Sequence, residues 1–156
     1  TCTTCHMSGQ EGLSVTHNVS KRLSWYLFAP VSEKRPGYAE NQVAMKQTCN
    51  NCHTSQHTNR YFDNAESVVR ATNEKVRNYM SIVDSLREEG YLTPEPFDEP
   101  LEFKIFDFWH YYGRTAKHGA FMGGADFVQW HGNYELLRKF VELQDKAEKL
   151  RSHDAK

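Results

Sequence analysis

The chain has 156 residues, with 19 basic against 20 acidic side chains and a net charge of −1, which fits one soluble domain at most and leaves no basic footprint for nucleic acid. Its longest apolar stretches, such as Trp25 to Pro30, fall far short of the roughly 20 residues that a membrane-spanning helix needs. Against a mean hydropathy of −0.75, the 8 histidines, 4 cysteines and 13% aromatic residues are out of proportion, and they point to something other than aliphatic side chains filling the interior.

The chain opens one residue before Cys2-Thr3-Thr4-Cys5-His6, shows no signal peptide, and reads as the C-terminal piece of something longer. Leu13 to Phe28 carries apolar residues at Leu13, Val15, Val19, Leu23, Trp25, Tyr26 and Leu27, a mixed pattern read as a helix entered through Thr16, with an extended segment as the alternative. Pro30, Pro36 and Gly37 make 30–37 a turn-rich link. Ala39 to Cys52 predicts a helix, with Val43 on one side, running into Cys49-Asn50-Asn51-Cys52-His53.

The strongest helical signal is Asp63 to Glu89. Asp63 is placed to cap, Glu66 follows three later, and Ala65, Val68, Val69, Thr72, Val76, Tyr79, Met80, Val83 and Leu86 recur at helical spacing until Gly90. Thr93 to Pro100, with Pro94, Pro96 and Pro100 among acidic residues, is expected to lie extended across a surface. Phe103 to Tyr112 is densely aromatic, and Gly119 to Gly124 reads as a loop. Tyr134 to Ser152 predicts a charged helix with Leu136, Leu137, Phe140, Val141, Leu143, Ala147 and Leu150 on its apolar face. No strand pattern stands out, so the fold class is mainly α.

All four cysteines fall in two copies of C-x-x-C-H, the c-type haem attachment signature. The spacing has a mechanical reason. Two thiols three positions apart on one turn each add to a porphyrin vinyl group, and the next residue swings its imidazole under the iron. Zinc does not need a histidine immediately after both cysteine pairs, and the segment between Cys5 and Cys49 is long for a zinc ribbon. A thioredoxin-like pair wants a preceding strand, and disulfides leave both following histidines unexplained. The expected cofactor is haem c, attached through Cys2 and Cys5 and through Cys49 and Cys52, with His6 and His53 as proximal iron ligands. Covalent attachment of this kind implies maturation in a periplasm or an equivalent extracytoplasmic compartment.

The ligand on the other face of each iron decides between electron relay and catalysis. His17, in Val15-Thr16-His17-Asn18, is the favoured distal candidate, followed by His131 in Trp130-His131-Gly132 and His110 in Trp109-His110-Tyr111, both among aromatics able to pack on a porphyrin. His118 fits either a ligand or a donor to propionate or substrate. His57 lies four residues past His53, where reach to the opposite haem face is poor, and His153 reads as a solvated tail residue.

Several runs resemble the C-terminal part of the octahaem hydroxylamine oxidoreductase family, which includes hydrazine dehydrogenase. They are Cys2-x-x-Cys5-His6-Met7 with Val15-Thr16-His17-Asn18, Arg35-Pro36-Gly37-Tyr38, and above all the continuous run from Trp109 to Gly132. The resemblance implies a mainly helical periplasmic homotrimer with eight c-type haems per subunit, all bis-histidine relays except one catalytic haem attached upstream of this segment. It also implies a small nitrogenous substrate, a soluble acceptor cytochrome and, in the oxidative branch, a tyrosine from a neighbouring subunit bonded to the catalytic porphyrin. The match for that tyrosine is the pair Tyr111 and Tyr112, with Tyr112 slightly preferred. Arg114 and Lys117 are expected to balance propionates or orient the tyrosine loop.

Two attachment motifs stand where the family has eight, so this segment is expected to be incomplete as a catalyst and to carry electron conduits. The expected function is oxidation of hydroxylamine or hydrazine in the periplasm, or in the anammoxosome of an anaerobic ammonium oxidiser. The alternatives are a reductive relative acting on nitrite or hydroxylamine, against which the tyrosine pair argues, and a plain electron-transfer dihaem cytochrome.

Overall fold

Helices dominate the computed structural model, which describes residues 1–153, and the chain divides into two compact units. The first comprises Thr1–Leu27 and Ser32–Asn64, and the second Phe28–Val31 and the described chain from Ala65 onward.

The first unit begins with α1 (Cys2–His6), one turn capped by Thr1, whose hydroxyl accepts from the Thr4 amide while Thr4 reaches back to the Thr1 backbone. A loop follows and turns back on itself, with the Thr16 amide donating to the Met7 carbonyl at 3.0 Å. The helix expected over Leu13 to Phe28 does not form. Only Val19–Arg22 makes a short 3-10 turn, because Thr16 and Asn18 side chains take the amides of Asn18 and Ser20 and so compete with helical pairing. Two brief strands then pair antiparallel, β1 (Trp25–Tyr26) with β2 (Glu33–Lys34), Trp25 opposite Lys34. They are too short to show a two-residue period, which is why no strand was legible in the sequence.

Helix α2 (Tyr38–Cys49) ends three residues before the expected Cys52, and Val43 points outward, 64% exposed. Helix α3 (Ser55–Glu88) begins eight residues before the expected Asp63. Thr54 caps it instead: its carbonyl accepts from the Thr58 amide at 3.0 Å and its hydroxyl from the His57 amide at 3.3 Å. The extra turns are polar, so the apolar period gives no sign of them.

In the second unit the apolar stripe of α3 is the core. Ala65, Val69, Thr72, Val76, Tyr79, Val83 and Leu86 are all buried, joined by Leu92, Leu101, Phe108, Ala116, Leu136, Leu143 and Ala147. Gly90 stops α3 with φ +83°, while the amides of Gly90 and Tyr91 close on the carbonyls of Arg87 and Leu86. Residues 93–99 do not run extended across a surface. They fold into a compact turn held by Thr93 on Asp98 and by the backbone amides of Asp98 and Glu99 on Glu102, whose carboxylate also pairs with Arg87.

From Pro100 the chain is almost continuously helical. Helix α4 (Pro100–Phe106) passes into a π-helical segment (Asp107–Gly113), then α5 (Arg114–Phe121), α6 (Ala125–Val128), a second π-helical segment (Gln129–Asn133) and α7 (Tyr134–His153). Gly119 to Phe121 belong to α5, so the expected loop shrinks to Met122–Gly124. Both wide turns fall on Trp-His pairs, Trp109-His110 and Trp130-His131, and such turns concentrate at functional sites.

Gly132 is where the second wide turn meets α5: a Cβ there would stand 2.8 Å from the Ala116 Cα. Gly132→Ala is therefore expected to cost about 1–3 kcal/mol through overpacking against rigid backbone, measured as a lowered denaturation midpoint of the haem-loaded protein. Gly90→Ala, which meets no atom within 4 Å but carries a positive φ, is expected to cost about 1 kcal/mol.

Candidate haem sites

Each attachment motif occupies one helical turn. In the first, the five residues of α1 are the motif itself. In the second, the Cys49 carbonyl accepts from the amides of Cys52 at 3.1 Å and His53 at 3.0 Å, so the turn continues past the end of α2. A cysteine pair at i and i+3 with histidine at i+4 shares one helical face, the arrangement that thioether attachment beside an axial imidazole requires. The four thiols are unbridged, and Cys2, Cys5 and Cys52 are exposed. Among the described residues no three cysteine or histidine ligand atoms from these motifs gather as a zinc site needs.

Arg22 ties the first motif down. It is 3% exposed, and its guanidinium donates to the Cys5 carbonyl at 2.8 Å and to the Ser8 carbonyl. Burial, with the Arg22 charge beside it, lowers the His6 pKa, a shift towards the neutral imidazole. The His6 Nδ1 is buried without a hydrogen-bond partner. Burial also raises the Cys49 pKa, and the second contribution comes from Cys5, so the two motifs are electrostatic neighbours within the first unit. These features fit haem c on both motifs. No sequence signal marked Arg22, a single basic residue in a mixed segment.

The distal candidates occupy different settings. His17 is exposed on the loop that folds back to Met7. His57 stacks on His53, ring centroids 4.8 Å apart, alongside the proximal imidazole. His131 is exposed and packs on Phe127 at 4.8 Å. His110 is half-buried, stacked on Phe106 at 4.4 Å, and its Nε2 accepts from the Arg114 guanidinium at 2.7 Å, since arginine only donates. His118 is the reverse case: its Nδ1–H donates to the Arg114 carbonyl at 2.9 Å. Burial, as the first cause, lowers its pKa. The side chain of His153 lies outside the described residues.

Tyr111 and Tyr112 sit on the first wide turn with rings 5.1 Å apart and nearly perpendicular. Tyr112 packs against the core beside Arg138, whereas Tyr111 is 62% exposed. Arg114 lies over the Phe28 ring at 4.5 Å. Lys117 is not available to a propionate: its side chain is fully buried, and its Nζ donates to the carbonyls of Ala29 at 2.9 Å and Pro30 at 3.2 Å. That burial, together with the Arg114 charge, pushes its pKa down to about 8.

A family model described as "Seven times multi-haem cytochrome CxxCH" matches residues 1–100. The chain belongs to this multihaem cytochrome family. It therefore carries covalently bound haem c, on the two motifs described above. No curated protein matches the chain. Among solved structures it is similar to a hypothetical multihaem protein, with 16% identity and a TM-score of 0.90 over 100% of this chain and 46% of that one. It is similar also to the reducing HAO-like protein complex of Kuenenia stuttgartiensis, with 15% identity and a TM-score of 0.83 over 99% of this chain and 46% of that one. The fold is thus that of a mainly α multihaem cytochrome, and this chain spans somewhat under half the length of the solved chains it matches.

Replacing Arg22 by Met keeps the bulk of this cytochrome's first unit but takes the donor from two part-buried hydrogen bonds, those to the Cys5 and Ser8 carbonyls. The expected loss is about 2 kcal/mol of stability, read as a lower urea midpoint of the haem-loaded protein, with Arg22→Lys recovering part of it.

Proposed function

We propose that this cytochrome is the C-terminal part of an octahaem hydroxylamine oxidoreductase-like enzyme, periplasmic or in an equivalent compartment, that oxidises hydroxylamine or hydrazine and passes electrons to a soluble acceptor cytochrome. The observation that carries the reading is Tyr111, a phenol held on a wide helical turn with 62% of its surface open. A tyrosine presented outward from a rigid element can reach a neighbouring subunit in a homotrimer, whereas Tyr112, packed on the core, cannot do so without unpacking. The preference therefore moves from Tyr112 to Tyr111.

Haem c supplies an iron that changes oxidation state and so draws electrons from the substrate nitrogen. This chain's own residues do the holding. Cys2, Cys5, Cys49 and Cys52 anchor, His6 and His53 offer imidazoles, and Arg22 fixes the backbone of the first motif. Among the remaining histidines, His17 and His131 stand exposed and able to serve a second face.

The exposed aromatic and aliphatic surface of the second unit speaks against a self-sufficient dihaem carrier. Trp130, Tyr134, Leu137 and Val141 are 48–58% exposed along one side of the chain entering α7, and such a patch marks a surface that other protein covers. The reductive reading has one observation in its favour, the similarity in fold to a reducing HAO-like complex.

Denaturing electrophoresis of the native assembly with haem staining separates these readings. The oxidative reading expects a haem-bearing species near three subunits in mass, lost to single subunits in Tyr111→Phe and kept in Tyr112→Phe. A single-subunit band in the unmodified protein removes the cross-link and leaves the reductive reading standing.

A further inference from the structure

We propose that the buried Arg22 guanidinium raises the reduction potential of the haem on the first attachment motif and so biases electrons towards that haem. Arg22 acts through the proximal imidazole and is a positioning residue. The inference rests on membership of the multihaem family and not on the choice between oxidation and reduction.

Arg22 is built in as a charge without a counter-charge. It closes the short turn Val19–Arg22, which Asn18 caps through the Ser20 amide, and the Leu23 carbonyl just after it is tied to Asn41 on α2. The side chain is 3% exposed, and its hydrogen-bond partners are main-chain carbonyls, those of Cys5 and Ser8. Among the described residues no carboxylate pairs with it. A neutral donor would also serve carbonyls, whereas a buried cation is costly to keep. What the charge adds is a field, and that field falls on His6: after burial, Arg22 is the second cause that lowers the His6 pKa. Surroundings that resist a proton on the ring also resist the extra positive charge that ferric iron carries over ferrous iron on the same ring.

A second observation points the same way. The His6 Nδ1 is buried and has no hydrogen-bond partner. A metal-ligating histidine ordinarily donates its other ring N–H to a carbonyl or carboxylate, which makes the imidazole more basic and favours the ferric state. The carbonyls on either side of His6 are already engaged. That of Thr3 accepts from the Met7 and Ser8 amides, each at 2.9 Å, that of Thr4 from the Ser8 hydroxyl, and that of Met7 from the Thr16 amide at 3.0 Å, while Arg22 holds those of Cys5 and Ser8. The ring gains no basicity from behind and lies in the field of a cation, and both effects favour ferrous iron. His53 on the second motif is exposed and lies against the His57 ring instead. Since Cys5 acts on Cys49 electrostatically, the motifs are neighbours within one unit, and a bias at the first haem bears on electrons it shares with the second.

The test is a spectroelectrochemical titration of the native haem-loaded assembly, a readout separate from turnover. Arg22→Gln keeps a donor for the carbonyls and removes the charge. It is expected to lower one haem's ferrous-to-ferric ratio about tenfold at a fixed potential, a fall of about 59 mV in midpoint for a one-electron couple. Arg22→Met, neutral and similar in bulk, is expected to give the same fall, so the outcome does not hang on one variant folding. Arg22→Lys keeps the charge and is expected to hold that midpoint near its original value. Lys21→Gln removes an exposed charge one residue earlier and is expected to move no midpoint in high salt, where the Arg22→Gln shift persists because a buried charge is little screened. Adding Cys2→Ala leaves one vinyl group unsaturated, which extends conjugation, moves that haem's visible band and so marks it. The falling midpoint is expected at the marked band. Unchanged midpoints in the neutral variants overturn the proposal, as does an equal fall in Arg22→Lys, the result that a purely structural role predicts, or a fall read at an unmarked band.

Discussion

One helical turn, used twice, is the constraint on which the rest of this molecule depends. A turn that brings two thiols and an imidazole to the same face fixes where a porphyrin must lie, and the surrounding chain is arranged to keep that turn in shape. Thr1 and Thr4 cap the first copy reciprocally, and Arg22 occupies the carbonyl of Cys5 in the short helix and that of Ser8 just past it. The second copy needs less support because α2 delivers it already wound. Anchoring by covalent bonds also relaxes what the sequence must do elsewhere. A chain with a mean hydropathy of −0.75 cannot bury much aliphatic surface, and a large apolar cofactor lets aromatic side chains act as core on one face and as cofactor lining on the other.

The division of labour between the two units follows from this. The second has an ordinary aliphatic core, in which Val76, Val83, Leu86, Leu136 and Leu143 are completely buried, and that core is what can hold side chains to tight tolerance. The first is poor in buried apolar residues, with Phe62 its buried aromatic, and is built from turns tied by polar side chains such as Asn41 on the Leu23 carbonyl. Motifs that will be anchored covalently sit in the unit with the weaker core. Tyr111, Tyr112, His110, His118 and His131 sit on the unit with the stronger one, while His17 belongs to the first.

What was legible in the sequence follows the same physics. The apolar face of α3 was readable because residues such as Val69, Val76 and Val83 recur at helical spacing and all are buried. Its first two turns were not, since Ser55 to Phe62 are mostly polar and the cap, Thr54, lies where no apolar period points. The stretch before Phe28 was misread because a count of apolar positions cannot register the side-chain to backbone hydrogen bonds of Thr16 and Asn18. The attachment motifs were legible in full, because covalent chemistry demands fixed residue types at fixed spacing. The polar ties across the chain were not: Arg22 reaches the Cys5 and Ser8 carbonyls, and Lys117 those of Ala29 and Pro30, over long stretches of sequence, and no local pattern encodes that.

Arg114 shows how such long-range information is converted into chemistry. Its side chain donates to His110 and its carbonyl accepts from His118, so one residue sets two imidazoles in opposite senses. The histidine before it receives a proton contact at Nε2, and the histidine after it gives up a proton contact at Nδ1. Both sit four residues away along nearly continuous helix, the one on the wide turn and the other on α5. Composition would count them as equivalent candidates, and spacing alone would rank them by their neighbours. Hydrogen-bond polarity distinguishes them: a donor-only guanidinium engages Nε2 of His110, while an acceptor-only carbonyl engages Nδ1 of His118. In a protein with more histidines than attachment motifs, which nitrogen of an imidazole is left open is decided less by the histidine than by the group that holds its other side.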